Sequence, residues 1–225
     1  MSMAVIIPSR GRPSNIADLL IAWKETNTKA DLFVVVDGDD PELDGYRRMI
    51  GFTLLIYPRQ GKGMAKPLNR AACEILTIGD YQYFAFIGDD HRPRTEGWDS
   101  HLTDALDEIG TGIAYGNDLL QGESLPTAVA MSADIVAALG GMVPPNMIHL
   151  YLDNFWLQLG KDTAIRYLPK VIIEHLHPTN GKAEWDEGYR DVNAEEVYSA
   201  DAKAFENYLA SNAYQELLQE LRNKD

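Results

Sequence analysis

Short apolar runs alternate with stretches of helical period through the first hundred residues. Met3 to Ile7, Leu32 to Val36, Phe52 to Tyr57 and Tyr83 to Ile87 each have the length of one strand. Their near-continuous apolar character predicts strands buried on both faces. Between them, Pro13 to Trp23 predicts a helix with proline in its first turn, Pro41 to Ile50 a short helix, and Met64 to Leu76 another. Strand–helix repeats of this kind imply a parallel sheet with right-handed crossovers. After Asp90 the rhythm changes. Glu96 to Ile109 has helical spacing, Gly112 to Tyr115 and Thr127 to Met131 read as short strands, and Ser132 is the expected N-cap of a helix to Leu139. Leu152 to Leu159 predicts a further helix, Ala164 to Leu168 and Val171 to Ile173 two strands, and Ala194 to Leu221 one or two closing helices. Thr179 to Val192 has no clear period and carries Gly181, Trp185, Asp186, Gly188 and Tyr189.

Two of the buried runs end abruptly in carboxylates. Tyr83 to Ile87 leads into Gly88-Asp89-Asp90-His91, and Leu32 to Val36 into Asp37-Gly38-Asp39-Asp40. Open α/β sheets bind ligands at the carboxyl ends of their strands. Two hard oxygen donors there suit a divalent cation holding a phosphate-bearing substrate. Asp37 suits a nucleobase imide N–H or a ribose hydroxyl, because a carboxylate only accepts. Asp39 and Asp40 read better as caps of the helix that begins at Pro41.

Other candidates lie at strand–helix junctions. Pro8-Ser9-Arg10-Gly11-Arg12 can meet a base or phosphate at a helix N-terminus, or be a capped turn with solvated arginines. Gln60 to Arg70 carries Gly61, Lys62, Gly63, Lys66 and Asn69, but neither a Walker A loop nor a dinucleotide fingerprint. His175 and His177 share a face at period two, as metal ligands or satisfied core residues. An imidazole beside aspartate oxygens fits Mn²⁺ better than Ca²⁺. Asp153 is either a helix N-cap or a general base within reach of an acceptor hydroxyl.

Composition then removes several functions. With 225 residues, 45% of them apolar, the chain can bury one sizeable core. The net charge of −14, from 20 Lys+Arg against 34 Asp+Glu, argues against a broad nucleic-acid-binding surface. Half of that imbalance falls from Glu184 onward, leaving the N-terminal half able to hold a local anion pocket. No apolar stretch approaches a membrane span, and the start reads as a strand and not as a signal peptide. Cys73 is the single cysteine, so no intrachain disulfide forms; a buried, inert thiol in a reducing cytosol is expected.

Taken in order, Pro8-Ser9-Arg10-Gly11-Arg12, Val35-Val36-Asp37, Gly63 with Asn69, Ile87-Gly88-Asp89-Asp90, Asp153-Asn154 and His175/His177 resemble the GT-A glycosyltransferases, in particular the family-2-like nucleotide-sugar transferases. The resemblance spans residues 3 to 178 and is similar to the compact enzymes of phages and bacteria. It implies a Rossmann-like, mostly parallel sheet flanked by helices, with a C-terminal helical extension. Residues 1–178 would be the catalytic domain, split into a donor half (1–116) and an acceptor half (117–178). Residues 179–225 would add a loop, ordering over the donor through Trp185 and Tyr189, and helices packed on the same domain. It implies a nucleotide-diphosphate sugar donor, UDP-linked by preference, held by Pro8, Ser9, Arg10, Arg12, Asp37, Gly63, Lys66, Asn69, Asp89 and Asp90. Asp90 with His177 or His175 would hold Mn²⁺ or Mg²⁺, His91 being set aside, and Asp153 would be the catalytic base. The acceptor stays open among a glycan, a protein and a modified nucleobase. The expected compartment is the cytoplasm, that of a host if the chain is phage-encoded. Two departures stand out: Asp37-Gly38-Asp39 replaces Asp-Asp-Gly-Ser, and Leu152-Asp153 replaces Glu-Asp. Three rivals are a haloacid-dehalogenase-like phosphohydrolase, a sugar-1-phosphate nucleotidyltransferase, which lacks its glycine-rich first loop here, and a non-catalytic nucleotide-sugar-binding protein.

Overall fold

The computed structural model describes residues 2–185 and 187–223; Asp186, in the aperiodic stretch, lies outside them. The first half runs β1 (Met3–Ser9), α1 (Pro13–Glu25), β2 (Asp31–Asp37), α2 (Leu43–Arg47), β3 (Thr53–Tyr57), α3 (Ala65–Ile78) and β4 (Tyr83–Phe86). The second runs β5 (His91–Pro93), α4 (Trp98–Ile109), β6 (Ile113–Asn117), β7 (Val129–Ser132), α5 (Ala133–Leu139), α6 (Leu152–Asp162) and β8 (Ile165–His175). The chain closes with α7 (Glu187–Val192), α8 (Glu195–Leu209) and α9 (Asn212–Arg222).

The strands form one eight-stranded sheet in the order β3-β2-β1-β4-β7-β6-β8-β5. The first four are parallel, as the strand–helix repeats require. β7 runs antiparallel to both β4 and β6, while β8 returns parallel to β6. Alternation along β1 divides the core into two layers. Ala4 and Ile6 pack with Leu68 and Ile75 of α3, whereas Val5 and Ile7 pack with Leu19 of α1 and Trp98 of α4. α9 contributes Tyr214, Leu217, Leu218 and Leu221 to the first layer. At about 1.5–3 kcal/mol for each fully buried side chain, the C-terminal helices are part of the core.

Several elements differ from the pattern reading, each for a local reason. α2 is shorter than Pro41 to Ile50, because Asp40 accepts the N–H of Glu42 and delays the helix start. The two strands expected between Ala164 and Ile173 are one, β8. Its register against β6 jumps from Gly116↔Leu168 to Asn117↔Ile172, where Pro169 supplies no N–H. β5, three residues ending in proline, is too short to show a period. Ser132 occupies the N-cap position of α5, but its hydroxyl accepts the N–H of Gly112. Cys73 is exposed and not buried; its thiol donates to the carbonyl of Gly140, and partial burial raises its pKa. Among the described residues no helix is long and apolar enough to cross a membrane.

Candidate functional site

The parallel register brings the ends of β1, β2 and β4 to one edge, so Ser9, Asp37 and Asp89 lie near each other. Asp89 is buried and accepts the Ser9 hydroxyl at 2.6 Å, with Asn15 also bonded to it and Arg12 at 3.4 Å. Burial, reinforced by the charge of Asp90, pushes the Asp89 carboxyl up to about 6 against these partners. Beneath them Tyr46, wholly buried, bonds Ser9 at 2.9 Å and accepts the N–H of Arg12 at 2.8 Å. Nothing in the sequence pattern singles Tyr46 out; it stands in a five-residue helix with no visible period.

Gly88 to His91 is a tight turn closed by the His91 N–H on the Gly88 carbonyl at 3.0 Å. A Cβ on Gly88 would lie 2.4 Å from Asp90 Oδ1 and 2.8 Å from His91 Nδ1, so a larger residue there would push both side chains from their places. The turn places Asp90 and His91 side by side instead of on opposite faces. β5 then pairs antiparallel with β8, setting His91 opposite His175. The two rings stack with centroids 4.1 Å apart. Asp90 Oδ1 is 3.1 Å from His91 Nδ1, and Asp90 Oδ2 is 3.3 Å from His175 Nε2. Burial favours the neutral acid, but with the His175 imidazole foremost among the groups that oppose it, Asp90 is held well below the usual carboxylate range. Burial lowers His91 in turn.

Among the described residues, Asp90, His91 and His175 form the one group whose ligand atoms all lie within 4.8 Å of each other. His177 is not in it. Its Nδ1 accepts the N–H of Thr179 and its ring packs edge-on against Trp185 and Tyr189. His91, set aside on sequence grounds, lies in the cluster instead, brought there by the turn at Gly88 and by the short β5, neither of which shows as a sequence pattern.

The remaining candidates divide by what their polar atoms touch. Arg10 donates to Asp37 at 3.1 Å and to Asp39 at 2.7 Å, with Arg59 also near both. Partial burial raises Asp37. Asp40 is a turn residue, accepting the N–H groups of Gly11 and Glu42. Pro8 sits within β1 opposite Val35. Gly63 has φ +78°, and a Cβ there would lie 2.2 Å from the Ile148 carbonyl oxygen, so this glycine admits the 148 loop. Lys66 donates to the Gln60 carbonyl. Asn69 donates to the Val143 carbonyl and accepts the N–H groups of Met142 and Val143, fixing that backbone.

Asp153 stands in the first turn of α6, two residues after Tyr151, which holds the N-cap position. It accepts the N–H of Asn154 at 2.9 Å, and burial raises its carboxyl above the ordinary value. The loop before it carries His149, whose Nδ1 is enclosed without a hydrogen-bond partner. Burial pushes that imidazole down to about 4 despite Asp201 and Asp90 nearby. Asp201 of α8, wholly buried, accepts the N–H groups of Ile148, His149 and Leu150. From the other side Tyr189 donates to Asp90 Oδ2 at 2.6 Å, under the Arg12 guanidinium 4.2 Å above its ring. An open cavity of about 840 Å³ lies elsewhere, at the amino edge of the sheet around Trp23, Lys29 and Ile50.

No protein-family model matches the chain, and no curated protein matches its sequence. Solved structures do match. S. aureus TarS 1-349 in complex with UDP-GlcNAc aligns over 100% of this chain and 72% of its own, with TM-score 0.62 and 14% identity. The mannosyltransferase PcManGT from Pyrobaculum calidifontis, in complex with GDP-Man and Mn²⁺, aligns over 98% and 73%, with TM-score 0.61 and 15% identity. Glucosyl-3-phosphoglycerate synthase from Mycobacterium tuberculosis, in complex with Mn²⁺, UDP and phosphoglyceric acid, aligns over 91% and 78%, with TM-score 0.62 and 13% identity. The chain has the GT-A fold. Identities this low speak for architecture and not for chemistry, but the GT-A fold displaces the haloacid-dehalogenase-like alternative.

Proposed function

We propose that the protein is a metal-dependent glycosyltransferase that moves a sugar from a nucleotide-diphosphate donor, UDP-linked by preference, to a hydroxyl acceptor. The observation that carries the reading is the convergence of Asp90, His91 and His175 beside Asp89 at the carboxyl edge of this sheet. Its donor set fits a divalent cation: His91 Nδ1 accepts the N–H of Gly88, yet faces a carboxylate oxygen at 3.1 Å. A cation shared by the two would relieve that contact by taking up the lone pair on which the Gly88 N–H now rests. Two imidazoles favour Mn²⁺ over Mg²⁺. Asp90, His91 and His175 would hold the ion, which supplies charge neutralisation to the departing diphosphate.

The protein's own groups do the rest. Arg12, beside Asp89, and Arg10, beside Asp37, bring positive charge to the phosphate end. Asp89 accepts from a ribose or sugar hydroxyl and Asp37 from the base. Asp153, its carboxyl raised by burial, takes the proton of the attacking hydroxyl. The relevant test is a thermal-shift screen of UDP-, GDP- and ADP-sugars with and without Mn²⁺, followed by assay of nucleotide release. A donor at 100 times its Kd stabilises by about 2.7 kcal/mol. Absence of any shift with every sugar nucleotide and metal would remove the proposal. Tight donor binding without turnover under any acceptor would leave a nucleotide-sugar-binding protein.

A further inference from the structure

We propose that Asp118 is a positioning residue that stands behind both imidazoles of the cation site and turns their inner nitrogens toward Asp90. The inference rests on the divalent-cation reading of Asp90, His91 and His175. Asp118 follows β6 and is 3% exposed. Its Oδ1 accepts the N–H groups of Leu120, Gln121 and Gly122 at 2.7–2.9 Å, which fixes the carboxylate rigidly. A turn cap needs no more than that oxygen. The other, Oδ2, points at the histidines.

Oδ2 accepts the Thr127 hydroxyl at 2.7 Å, and the same hydroxyl oxygen lies 3.4 Å from His91 Nε2. With its proton committed to Asp118, Thr127 can only accept from the ring. The proton of His91 therefore sits on Nε2, and Nδ1 presents its lone pair on the Asp90 side. The Gly88 N–H, 3.1 Å from Nδ1, requires the same tautomer. Oδ2 is also 3.9 Å from His175 Nδ1, a buried nitrogen with no hydrogen-bond partner. The backbone carbonyl of Asp118 accepts the His175 N–H at 2.9 Å, tying the strand end to the same residue. One carboxylate thus backs both stacked rings while Asp90 faces them from the front. An outer carboxylate of this kind sets the tautomer and orientation of a metal-binding imidazole and raises its basicity.

The test is Mn²⁺ titration of the full-length protein, with free Mn²⁺ followed by electron paramagnetic resonance and nitrogen ligands counted by spin-echo modulation. Asp118→Asn keeps an oxygen for the three backbone N–H groups and replaces Oδ2 by a donor. Thr127→Val cuts only the link to His91 and leaves the turn intact. The expected result is two coordinating nitrogens in the wild type, with Mn²⁺ affinity lower by about 10–100-fold in Asp118→Asn. In Thr127→Val the expected change is weaker binding with a perturbed nitrogen signal. Native-like circular dichroism with wild-type affinity and two unperturbed nitrogens in Thr127→Val, or in a folded Asp118→Asn, overturns the positioning role while leaving the cation reading in place. A wild-type protein that binds no Mn²⁺ overturns both.

Discussion

The hydroxyl of Tyr189 donates to Asp90 Oδ2 at 2.6 Å, on the oxygen that His175 Nε2 approaches to 3.3 Å. The segment after His177 therefore sits on the candidate cation site, with a phenolic proton bonded to one of its ligands. A hydrogen bond to a charged group is worth about 1.5–3 kcal/mol, and a cation drawing on the same oxygen competes with it. Tyr189→Phe is expected to tighten Mn²⁺ binding by about tenfold or more, measured by titration with Trp185 fluorescence as a second readout, since that ring packs 6.0 Å from Tyr189. Weaker Mn²⁺ binding in the variant would show that Tyr189 orients Asp90 for the ion and does not compete with it.

Asp153 tests the chemical step. Burial raises its carboxyl, which suits a base that must take a proton and later release it. Asp153→Asn is nearly isosteric, and its side-chain oxygen can still accept the Asn154 N–H that Asp153 accepts now. Turnover is expected to fall by about 10²–10⁴, with the thermal shift given by donor and Mn²⁺ retained. A variant with unaltered kcat removes Asp153 from the mechanism.

How much of this was legible in the sequence depends on the range of the signal. Buried runs such as Leu32 to Val36 announce themselves because continuous apolar character has few other causes, and the acidic strand ends follow directly from them. Asp89 and Asp90 were visible for that reason. His91 was in view beside them but was set aside, because its placement depends on a glycine turn and on pairing with His175, 84 positions later by their numbering. Gly63 and Asn69 were visible as residues of a strand–helix junction, but the backbone they meet, near Ile148 and Val143, is remote in sequence. Asp118, His149 and Asp201 carry no local motif; only the packed structure reveals an unpartnered nitrogen or a carboxylate holding three amides.

Asp201 connects the C-terminal helices to the site. The loop it holds is flanked by Asn146 and Tyr151, both with positive φ, a conformation costing of order 1–3 kcal/mol for each residue. Three N–H groups on one wholly buried carboxylate offset that cost. Asp201→Ala orphans all three and is expected to destabilise by about 3 kcal/mol or more. For a chain of this size that lowers Tm by roughly 6–12 °C, read by calorimetry. A shift under 2 °C or so would mean that the loop holds itself without α8.

His149 gives the loop a pH signature. An unfolded chain protonates this residue near its ordinary value of 6.5, whereas burial holds the folded imidazole down to about 4. Between those values the unfolded state binds the extra proton, so this contribution is complete above pH 6.5 and is lost as pH falls toward 4. The upper limit is about 3 kcal/mol, at 1.36 kcal/mol per pH unit. Asp89, raised to about 6, acts in the opposite sense, because there the folded state takes the proton first. That opposing slope is common to the wild type and to His149→Leu and cancels in their difference. Urea unfolding of both proteins from pH 7 to 5 isolates the imidazole: the wild type is expected to lose stability faster than the variant as pH falls. Parallel curves would mean that His149 takes up its proton in the folded state, with Asp201 and Asp90 outweighing burial.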